Sequence, residues 1–532
     1  MTFREQQQYV SAQNAAASLG GARIEELSTS DTEDVEETIM KPRTDGVFGM
    51  SDIFTIPPEL LFNPPILHDE LETSTSKAQD ETAKLCIPFL TGEDGSLDKL
   101  NKYGIPRLLR KEHVAFLHKA LGQYPGQYAA MDASRPWIIY WALMGLSTLG
   151  EDVSCYREQA IQTFRSMQNP SGGFGGGHGQ YSHLAATYAA TLSLAIVDAL
   201  HIINRKTMWE WLGQMKQPDG GFTMTQSGEE DVRGAYTALS IHSLLNLPIS
   251  LPECSPAYNT NPSTADAPAT FLTNLGPWIQ SCQTYEGGIA GAPSNEAHGA
   301  YAFCALACLC IMGPPHHTIP RFLDIPILTS WLSARQLAPE GGFAGRTNKL
   351  VDGCYSHWVG GCWSLIQAAA GARNSDGNRD GDLSEVRLRD LQGLWSRQGL
   401  IRYLLSCAQV KKGGLRDKPG MRPDGYHTNY GLAGLSAAMH YYSYPSPAHG
   451  DADSDRVGDS GEDVDQYAMR LGAAYDWKAV RMSELVGERA LFEESDEVAF
   501  VHPVFVLPMD VVRRTKMRFG GAAGAAEEWA RG

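Results

Sequence analysis

A carboxylate and a thiol stand two residues apart in LVDGCYSHW, as Asp352 and Cys354, and the later stretch YHTNYG adds His427. Zinc in proteins is bound by Cys, His and carboxylate side chains, and a catalytic zinc has three protein ligands and one open position. These residues supply one ligand of each kind, so their types predict a catalytic zinc site. The alternative is a helix-capping aspartate beside a buried thiol, which is the better interpretation of a D-x-C pair taken alone.

Three cysteines in FCALACLC form a second group of potential ligands, Cys304, Cys308 and Cys310. Their spacing is helical, and neither a histidine nor an acid stands beside them in this stretch. Since free cysteine behaves as a small hydrophobic residue and is often buried, the group indicates core packing.

Cationic and hydrogen-bonding side chains accompany the candidate zinc ligands. Arg346 and Lys349 precede them in GRTNKL, Tyr355 follows Cys354, and Arg233 and His298 occur in DVRGAY and EAHGAY. Next to a metal, such groups are suited to a diphosphate leaving group, because Arg and Lys stabilise its charge. Taken one at a time, each is better explained as a member of a surface ion pair.

Aromatic residues recur in the same parts of the chain, near the starts of apolar helices. Lining a common bore, they would suit a long hydrocarbon, although most such residues are core residues in most proteins. They are Trp137, Tyr140, Trp141, Tyr188, Tyr236, Tyr301 and Trp358.

A repeat organises the elements that must position these side chains. Five times a helical segment ends in Gln and runs into a Gly-Gly turn and an apolar residue, and an Ala- and Leu-rich helix follows. The glycine pairs fit a tight turn between helices because they tolerate positive φ. The five copies span residues 167–174, 216–222, 282–289, 335–343 and 408–415.

An earlier helix over residues 132–149, with Ser134 as N-cap and Pro136 near its first turn, resembles the second half of one more unit. The spacing of the units varies because of inserts at residues 252–268 and 372–390. About six helical hairpins in sequence predict an open solenoid or a closed ring. We favour the ring.

The polar residues fall at similar places in the repeat. Counted from the first glycine of each pair, His298 and Asp352 lie 11 residues on, Arg233 lies 13 on and His427 lies 14 on. All four therefore stand near the start of the helix after a turn. In a closed ring these helix starts share one rim, so the four residues are expected to converge in a site.

Composition narrows the classes of partner and compartment. A net charge of −17 over 532 residues argues against nucleic-acid binding, and two acidic stretches, residues 25–37 and 451–465, carry most of that charge. The first residues, MTFREQQQYV, lack the apolar core of a signal peptide, and no run of 18 apolar residues predicts a membrane span. Ten scattered cysteines are typical of free thiols in a reducing compartment, so we expect a cytoplasmic protein.

Long stretches of the chain resemble the beta subunits of the protein farnesyltransferase family. The resemblance covers roughly residues 85–445, and HPVFVLP at 502–508 is similar to that family's C-terminal end. The stretches that carry it, besides the Gly-Gly repeats, are DASRPWIIYW, GGFGGGHGQYSHLAATYAA, EAHGAYAFC, GRTNKLVDGCYSHW and YHTNYGLAGLS.

The resemblance implies an all-α fold, an α/α-barrel or toroid of about six helical hairpins, paired with a separate helical-repeat alpha subunit. It implies transfer of a farnesyl group from farnesyl diphosphate to the cysteine of C-terminal CaaX motifs, as in small GTPases. One zinc per beta subunit would be bound by Asp352, Cys354 and His427. Farnesyl diphosphate would contact His298, Tyr301, Arg346, Lys349, Tyr355, Trp358 and Arg233. The isoprenoid and peptide pocket would include Trp137, Trp141, Tyr236, Cys304 and Tyr426.

Two positions in LRDKPGM bear on a second metal. By resemblance, Asp417 helps to position a stimulating Mg²⁺ on the diphosphate, whereas its spacing fits equally well a loop acid paired with Arg416 or Lys418. Met421 stands where the family commonly has Lys.

The sequence divides into four expected regions. Residues 1–84 form an acidic and largely disordered extension, and residues 85–445 form the barrel. Residues 446–466 form an acidic loop, and residues 467–532 pack on the barrel and end in a flexible tail.

Two other classes of isoprenoid enzyme require motifs that this sequence lacks. A terpene cyclase needs a D-x-D-D proton donor and a prenyl synthase needs D-D-x-x-D metal motifs, and neither pattern is found. The nearest alternative is the beta subunit of geranylgeranyltransferase type I. A helical ring that serves only as a binding scaffold is the alternative from another class, although all three ligand types argue against it.

Overall fold

The computed structural model describes residues 71–519, apart from residues 96, 98, 125, 260–268, 371–393, 446–471 and 483–491. The expected acidic loop, the second insert, the end of the first insert, the C-terminal tail and residues 1–70 of the expected N-terminal extension lie outside the described residues. The first helix, Ser74–Thr91, crosses the expected boundary at residue 84.

The described residues are mainly helical. In chain order the helices are α1 (Ser74–Thr91), α2 (Arg110–Ala120), α3 (Arg135–Thr148), α4 (Arg157–Arg165), α5 (Leu184–Ile196), α6 (Arg205–Met215), α7 (Val232–Leu244), α8 (Leu275–Ser281), α9 (Gly299–Met312), α10 (Pro315–Phe322), α11 (Ile325–Ser333), α12 (Tyr355–Trp358), α13 (Cys362–Ala370), α14 (Arg397–Tyr403), α15 (Gly425–Met439) and α16 (Met509–Phe519). One antiparallel strand pair, β1 (His440–Ser443) and β2 (Lys478–Arg481), is added to the expected all-α fold, with His440 opposite Arg481.

Six hairpins build an α/α-barrel, as predicted. The inner helices are α3, α5, α7, α9, α12 with α13, and α15, and each packs on the next, with α15 returning to α3. The outer layer consists of α2, α4, α6, α8, α11 and α14. Inner helices are mostly buried, and every residue of α5 is buried. Outer helices such as α6 bury one apolar stripe, which includes Trp211 and Leu212, as amphipathic helices do.

The Gly-Gly turns explain why the ring closes. The first glycine of each pair has positive φ, and a Cβ atom on it would collide with backbone near the start of the next outer helix. At Gly172 that backbone is the carbonyl of Thr207 on α6. At Gly413, in the last turn, it is the carbonyl of Glu112 on α2, the first outer helix. The contact between the last turn and α2, the first outer helix, excludes the open solenoid.

The glutamines that precede the last two turns have a related role. The side chain of Gln336 donates to the carbonyl of Ser396, the N-cap residue of α14, at 2.8 Å. The side chain of Gln409 accepts from the backbone N–H of Leu109, the N-cap residue of α2, at 3.1 Å. These glutamines join successive hairpins, and Gln409 joins the last hairpin to the first.

One end of the barrel is closed by residues 502–508. Tyrosine hydroxyls on the inner helices donate to backbone carbonyls of this segment, from Tyr140 to Val506 and from Tyr236 to Val504, both at 2.7 Å. Any opening into the bore therefore lies at the opposite end. Among the described residues, no helix has both the length and the apolar character needed to cross a lipid bilayer.

One expected detail is wrong. Ser134 does precede α3 and Pro136 lies in its first turn, but the Ser134 side chain makes no capping hydrogen bond. Its φ and ψ of −107° and 9° are outside the extended region from which a serine normally caps a helix.

Candidate zinc and diphosphate site

The inner helices begin at the end of the barrel away from residues 502–508, and we call this end the rim. Four backbone N–H groups at or just before inner-helix starts donate to the carbonyl four residues after the first glycine of the next turn. All four hydrogen bonds are 2.8 Å long, which sets the helix starts at equivalent positions around the ring. The pairs are Leu184 to Met224, Val232 to Gly291, Gly299 to Gly345, and Gly353 to Asp417.

Side chains cap these helix starts. His183, Asp231, His298 and Asp424 accept backbone N–H groups at the N-termini of α5, α7, α9 and α15. Asp352 accepts the N–H of Cys354 at 2.8 Å, just before α12. Since the N-terminus of a helix carries partial positive charge, a rim made of such ends favours anions.

The three predicted zinc ligands converge on this rim. One ligand atom each from Asp352, Cys354 and His427 lies within 4.8 Å of the others. A carboxylate oxygen of Asp352 is 3.2 Å from Nε2 of His427, and the thiol of Cys354 is buried. Among the described residues, this is the group whose geometry suits a metal, whereas Cys304, Cys308 and Cys310 lie buried along α9 as expected for core.

The pKa shifts of the trio indicate that its negative charge favours binding of a cation. Burial opposes ionisation of Asp352, but the neighbouring imidazole of His427 outweighs it and lowers the pKa of Asp352 to about 2. Burial would lower the pKa of His427, yet the carboxylates of Asp352 and Asp424 raise it well above its ordinary value. Burial, and then Asp352, raise the pKa of Cys354. The proton on His427 thus provides the positive charge that a bound metal ion would otherwise supply. The three donor types, carboxylate, thiol and imidazole, fit zinc.

Asp424 is a functional residue that the sequence reasoning missed. One of its carboxylate oxygens accepts the backbone N–H of His427 at 2.8 Å, and the other lies 2.7 Å from Nδ1 of the same residue. A carboxylate behind a ligating histidine fixes the ring and directs its other nitrogen towards the metal. The sequence signal was the spacing D-x-x-H at a helix start.

Aromatic side chains connect the trio to the bore. The hydroxyl of Tyr426 accepts from the indole N–H of Trp358 at 3.0 Å, and its ring meets Trp141 edge-on with centroids 5.4 Å apart. The hydroxyl of Tyr355 lies 3.2 Å from Nε2 of His298. The predicted polar and aromatic positions are therefore neighbours.

Aromatic side chains line the part of the bore near the rim, and we call them the aromatic wall. The ring of Trp137 lies 5.8 Å from that of Trp141 and 5.9 Å from that of Tyr188, between centroids. Tyr236 continues the wall, 5.5 Å from Tyr188, and Cys304 is buried on the neighbouring α9. The structure therefore places these residues side by side along the inner helices.

The two arginines predicted for the site are paired with carboxylates. Arg233 pairs with Asp231, and its guanidinium also lies 5.7 Å from the ring centre of Tyr301. Arg346 pairs with Glu296 at 2.6 Å. Both pairings were unforeseen, although each arginine was recognised as a possible ion-pair member. Lys349 is exposed on the loop between Arg346 and α12.

His298 is held neutral among these cations. Burial, together with Arg346 and Arg233, lowers the pKa of His298 to about 3. Its Nδ1 accepts the N–H of Ala300 at 3.1 Å. Nε2 is therefore the ring nitrogen that carries the proton, and it lies 3.2 Å from the hydroxyl of Tyr355.

Asp417 lies beside the trio but is already paired. Both of its carboxylate oxygens are 2.6 Å from Nζ of Lys418, which is the ion pair weighed from the sequence. Burial and the nearby charge of Asp352 raise the pKa of Asp417 to about 6 against the effect of Lys418. Met421 is exposed on the same loop.

Comparisons with known proteins agree with this geometry. The prenyltransferase alpha-alpha toroid domain matches residues 108–507. Protein farnesyltransferase subunit beta of Pyricularia oryzae is 47% identical over 92% of this chain and 90% of its own length, and that of Schizosaccharomyces pombe is 38% identical over 71% and 87%. The geranylgeranyl transferase type-1 subunit beta of Arabidopsis thaliana is more distant, at 28% identity over 62% of this chain and 84% of its own length.

A solved structure shares the fold. Candida albicans protein geranylgeranyltransferase-I complexed with GGPP superposes with a TM-score of 0.53, at 22% identity, over 77% of this chain and 98% of that one. At this identity the likeness concerns the architecture alone. The matched toroid domain and the sequence relatives together show that this chain is a prenyltransferase of the alpha-alpha toroid family and belongs among the protein farnesyltransferase beta subunits.

Proposed function

We propose that this chain is the catalytic beta subunit of a zinc-dependent protein farnesyltransferase. The reaction joins the farnesyl group of farnesyl diphosphate to the cysteine thiol of a C-terminal CaaX motif. The observation that carries the proposal is the convergence of Asp352, Cys354 and His427 beside an aromatic bore. The identity to named farnesyltransferase beta subunits supports farnesyl as the donor group.

One zinc ion per chain would be held by Asp352, Cys354 and His427. When bound, zinc supplies positive charge that lowers the pKa of a substrate thiol from its ordinary value of about 8.5, so that thiolate prevails near neutral pH. Asp352 and thiolate Cys354 together offset the charge of the ion, and His427 adds a neutral ligand oriented by Asp424. Three protein ligands leave one position for the substrate.

The other residues of the rim would act on the diphosphate. His298, Arg346, Lys349 and Tyr355 bind its oxygens and stabilise the charge that develops there as the bond from C1 of the farnesyl chain breaks. The substrate sulfur forms its bond to C1, and the electron pair of the broken bond leaves with pyrophosphate. Because the nucleophile is already a thiolate, no side chain has to act as general base.

The aromatic wall would hold the isoprenoid chain. Trp137, Trp141 and Tyr236 offer apolar area to the hydrocarbon, and Tyr426 and Trp358 lie between that wall and the metal position. Packing of the chain against these rings excludes water from C1. The chain is thereby oriented for attack by the sulfur.

The partners follow from the same proposal. The named relatives are beta subunits, which supports pairing with a separate alpha subunit in a heterodimer. The substrates are farnesyl diphosphate and CaaX-terminated proteins such as small GTPases, with Mg²⁺ stimulating turnover. The enzyme works in the cytoplasm.

The direct experiment is co-expression with a farnesyltransferase alpha subunit, followed by assay of the heterodimer with a CaaX peptide and each prenyl diphosphate. We expect a thioether product and faster transfer from farnesyl than from geranylgeranyl diphosphate. Preference for the longer donor would assign the chain to geranylgeranyltransferase type I. A stable heterodimer that transfers neither prenyl group would support the alternative function, a helical ring that serves only as a binding scaffold.

A further inference from the structure

The ion pair between Arg346 and Glu296 combines a short contact with an exposed acid. Nη1 of Arg346 lies 2.6 Å from a carboxylate oxygen of Glu296, with 18% of the arginine side chain exposed and 56% of the glutamate. Glu296 belongs to the loop before His298, the N-cap residue of α9. A charged loop residue therefore reaches the guanidinium from the solvent side.

Two other acids pair with rim cations at short distance and have fixed positions, and a third, the exposed Glu229, lies 4.0 Å from Arg233, which Asp231 already holds. Asp231 is buried and also caps α7 by accepting the backbone N–H of Arg233 at 2.8 Å. Asp417 is mostly buried, and its backbone carbonyl accepts the N–H of Gly353 at 2.8 Å. Moving either carboxylate would disturb a helix start or expose a buried charge.

Glu296 has no such constraint. Over the described part of the chain, its carboxylate makes a single hydrogen bond, the one to Arg346, and caps no helix. An ion pair with one exposed partner contributes little to stability, because water and salt screen it. This pair can open at small cost, and the pairs of Asp231 and Asp417 cannot.

An arginine that faces a diphosphate site can pair with either anion. Guanidinium groups bind carboxylate and phosphate oxygens through the same N–H donors, so Glu296 and a bound diphosphate would compete for Arg346. A glutamate that remained in place would in addition repel the diphosphate. The affinity of the site for diphosphate then depends on how readily the carboxylate of Glu296 is displaced from Arg346.

We propose that Glu296 is an exchangeable counter-ion that sets the affinity of this site for diphosphate. It holds the Arg346 guanidinium at the rim of the empty enzyme, releases it to the diphosphate of the substrate, and pairs with it again as pyrophosphate leaves. The inference rests on the proposed function, which assigns Arg346 to the diphosphate. Glu296 is a positioning residue that acts through Arg346.

The test is calorimetric titration of the zinc-loaded heterodimer with inorganic pyrophosphate and with farnesyl diphosphate. Glu296→Gln should tighten both dissociation constants about 2- to 5-fold at low salt, and the gain should shrink as salt is added. In an Arg346→Gln background the same substitution should change nothing. Glu253→Gln, at an exposed glutamate on the connection after α7, is the control for net charge.

The outcomes distinguish a failure of the diphosphate site from a failure of the role proposed for Glu296. If the wild-type heterodimer binds neither probe, the diphosphate site itself is misassigned and the proposed function fails. If it binds them but Glu296→Gln and Glu296→Ala bind equally or more weakly at unchanged thermal stability, Glu296 is only a surface ion pair. A gain matched by Glu253→Gln would likewise overturn the inference, because it would reflect total charge.

Discussion

The imidazole of His427 bridges two carboxylates, with Nδ1 2.7 Å from Asp424 and Nε2 3.2 Å from Asp352. One acid orients the ring and the other shares the metal position with it. Because Asp424 also caps α15, one side chain fixes both the start of this helix and the ring of His427, the third proposed zinc ligand.

Asp424→Ala should weaken zinc binding by about 10- to 100-fold, because the histidine loses its orienting carboxylate. The loss of the cap should cost about 1 kcal/mol in addition. Asp324→Ala is the matched control, since Asp324 caps α11 in the outer layer and has no contact with the trio. Zinc affinity measured by chelator competition should fall in the first variant alone. Equal zinc affinity in both would reduce Asp424 to a helix cap.

Trp137→Thr should shift the donor preference towards geranylgeranyl diphosphate. Trp137 packs on Trp141 and Tyr188 in the aromatic wall, and its removal opens room for a longer chain. The additional isoprene unit has five carbons, whose burial is worth roughly 3–4 kcal/mol. The measurement is the ratio of kcat/KM for the two donors. An unchanged ratio would remove Trp137 from the set of residues that limit chain length.

Asp417 should mediate a response to magnesium. Its carboxylate is paired with Lys418, so magnesium has to displace that ammonium before the acid can act on the diphosphate. Asp417→Ala should flatten the dependence of turnover on magnesium without loss of zinc, and Asp417→Lys should restore part of the rate in its absence. Lys418→Gln should move the response to lower magnesium. Superimposable curves for all four proteins would make Asp417 a structural ion-pair residue only.

Acid should destabilise the closure of the ring at His113 on α2. This buried residue accepts the N–H of Gly414 through Nδ1 at 2.9 Å, and Nε2 lies 3.2 Å from Gln409, both in the last hairpin. Burial lowers the pKa of His113 from 6.5 to about 4. Between these values the unfolded chain binds more protons, so up to about 3 kcal/mol of stability is lost as the pH falls from 6.5 to 4.

His113→Gln tests this dependence on pH. The variant should be less stable than wild type at neutral pH, since its hydrogen bonds are weaker, but its melting temperature should fall less between pH 7 and pH 5. His201→Gln, at an exposed histidine, should keep the wild-type slope. A wild-type slope in His113→Gln would place the acid sensitivity at other groups.

Sequence patterns predicted the ring because its determinants recur as a short motif. Each Gly-Gly pair and the glutamine before it are recognisable within one turn, although they contact the next hairpin, and the helix starts follow at similar offsets. The trio of proposed zinc ligands could also be predicted from the sequence, since Asp352 and Cys354 are close in sequence and His427 stands at an equivalent position in the next hairpin. Family resemblance added the roles of the surrounding residues.

The remaining features depend on side-chain directions that spacing does not encode. The D-x-x-H spacing of Asp424 and His427 is equally typical of an ordinary helix cap, and only the second carboxylate oxygen, turned towards the ring of His427, distinguishes the two roles. Glu296 precedes His298 by two residues and is far from Arg346 in sequence, so their pairing required the fold. The expected cap at Ser134 failed because the backbone there is not extended.

Zinc content and turnover, measured together on Cys354→Ala, test the central claim most directly. We expect the wild-type heterodimer to hold one zinc per beta chain and to farnesylate a CaaX peptide. Cys354→Ala should lose the zinc and nearly all turnover, and Cys310→Ala, a matched change at a buried thiol on α9, should keep both. Full zinc content and full turnover in Cys354→Ala would contradict the assignment of this trio as the metal centre.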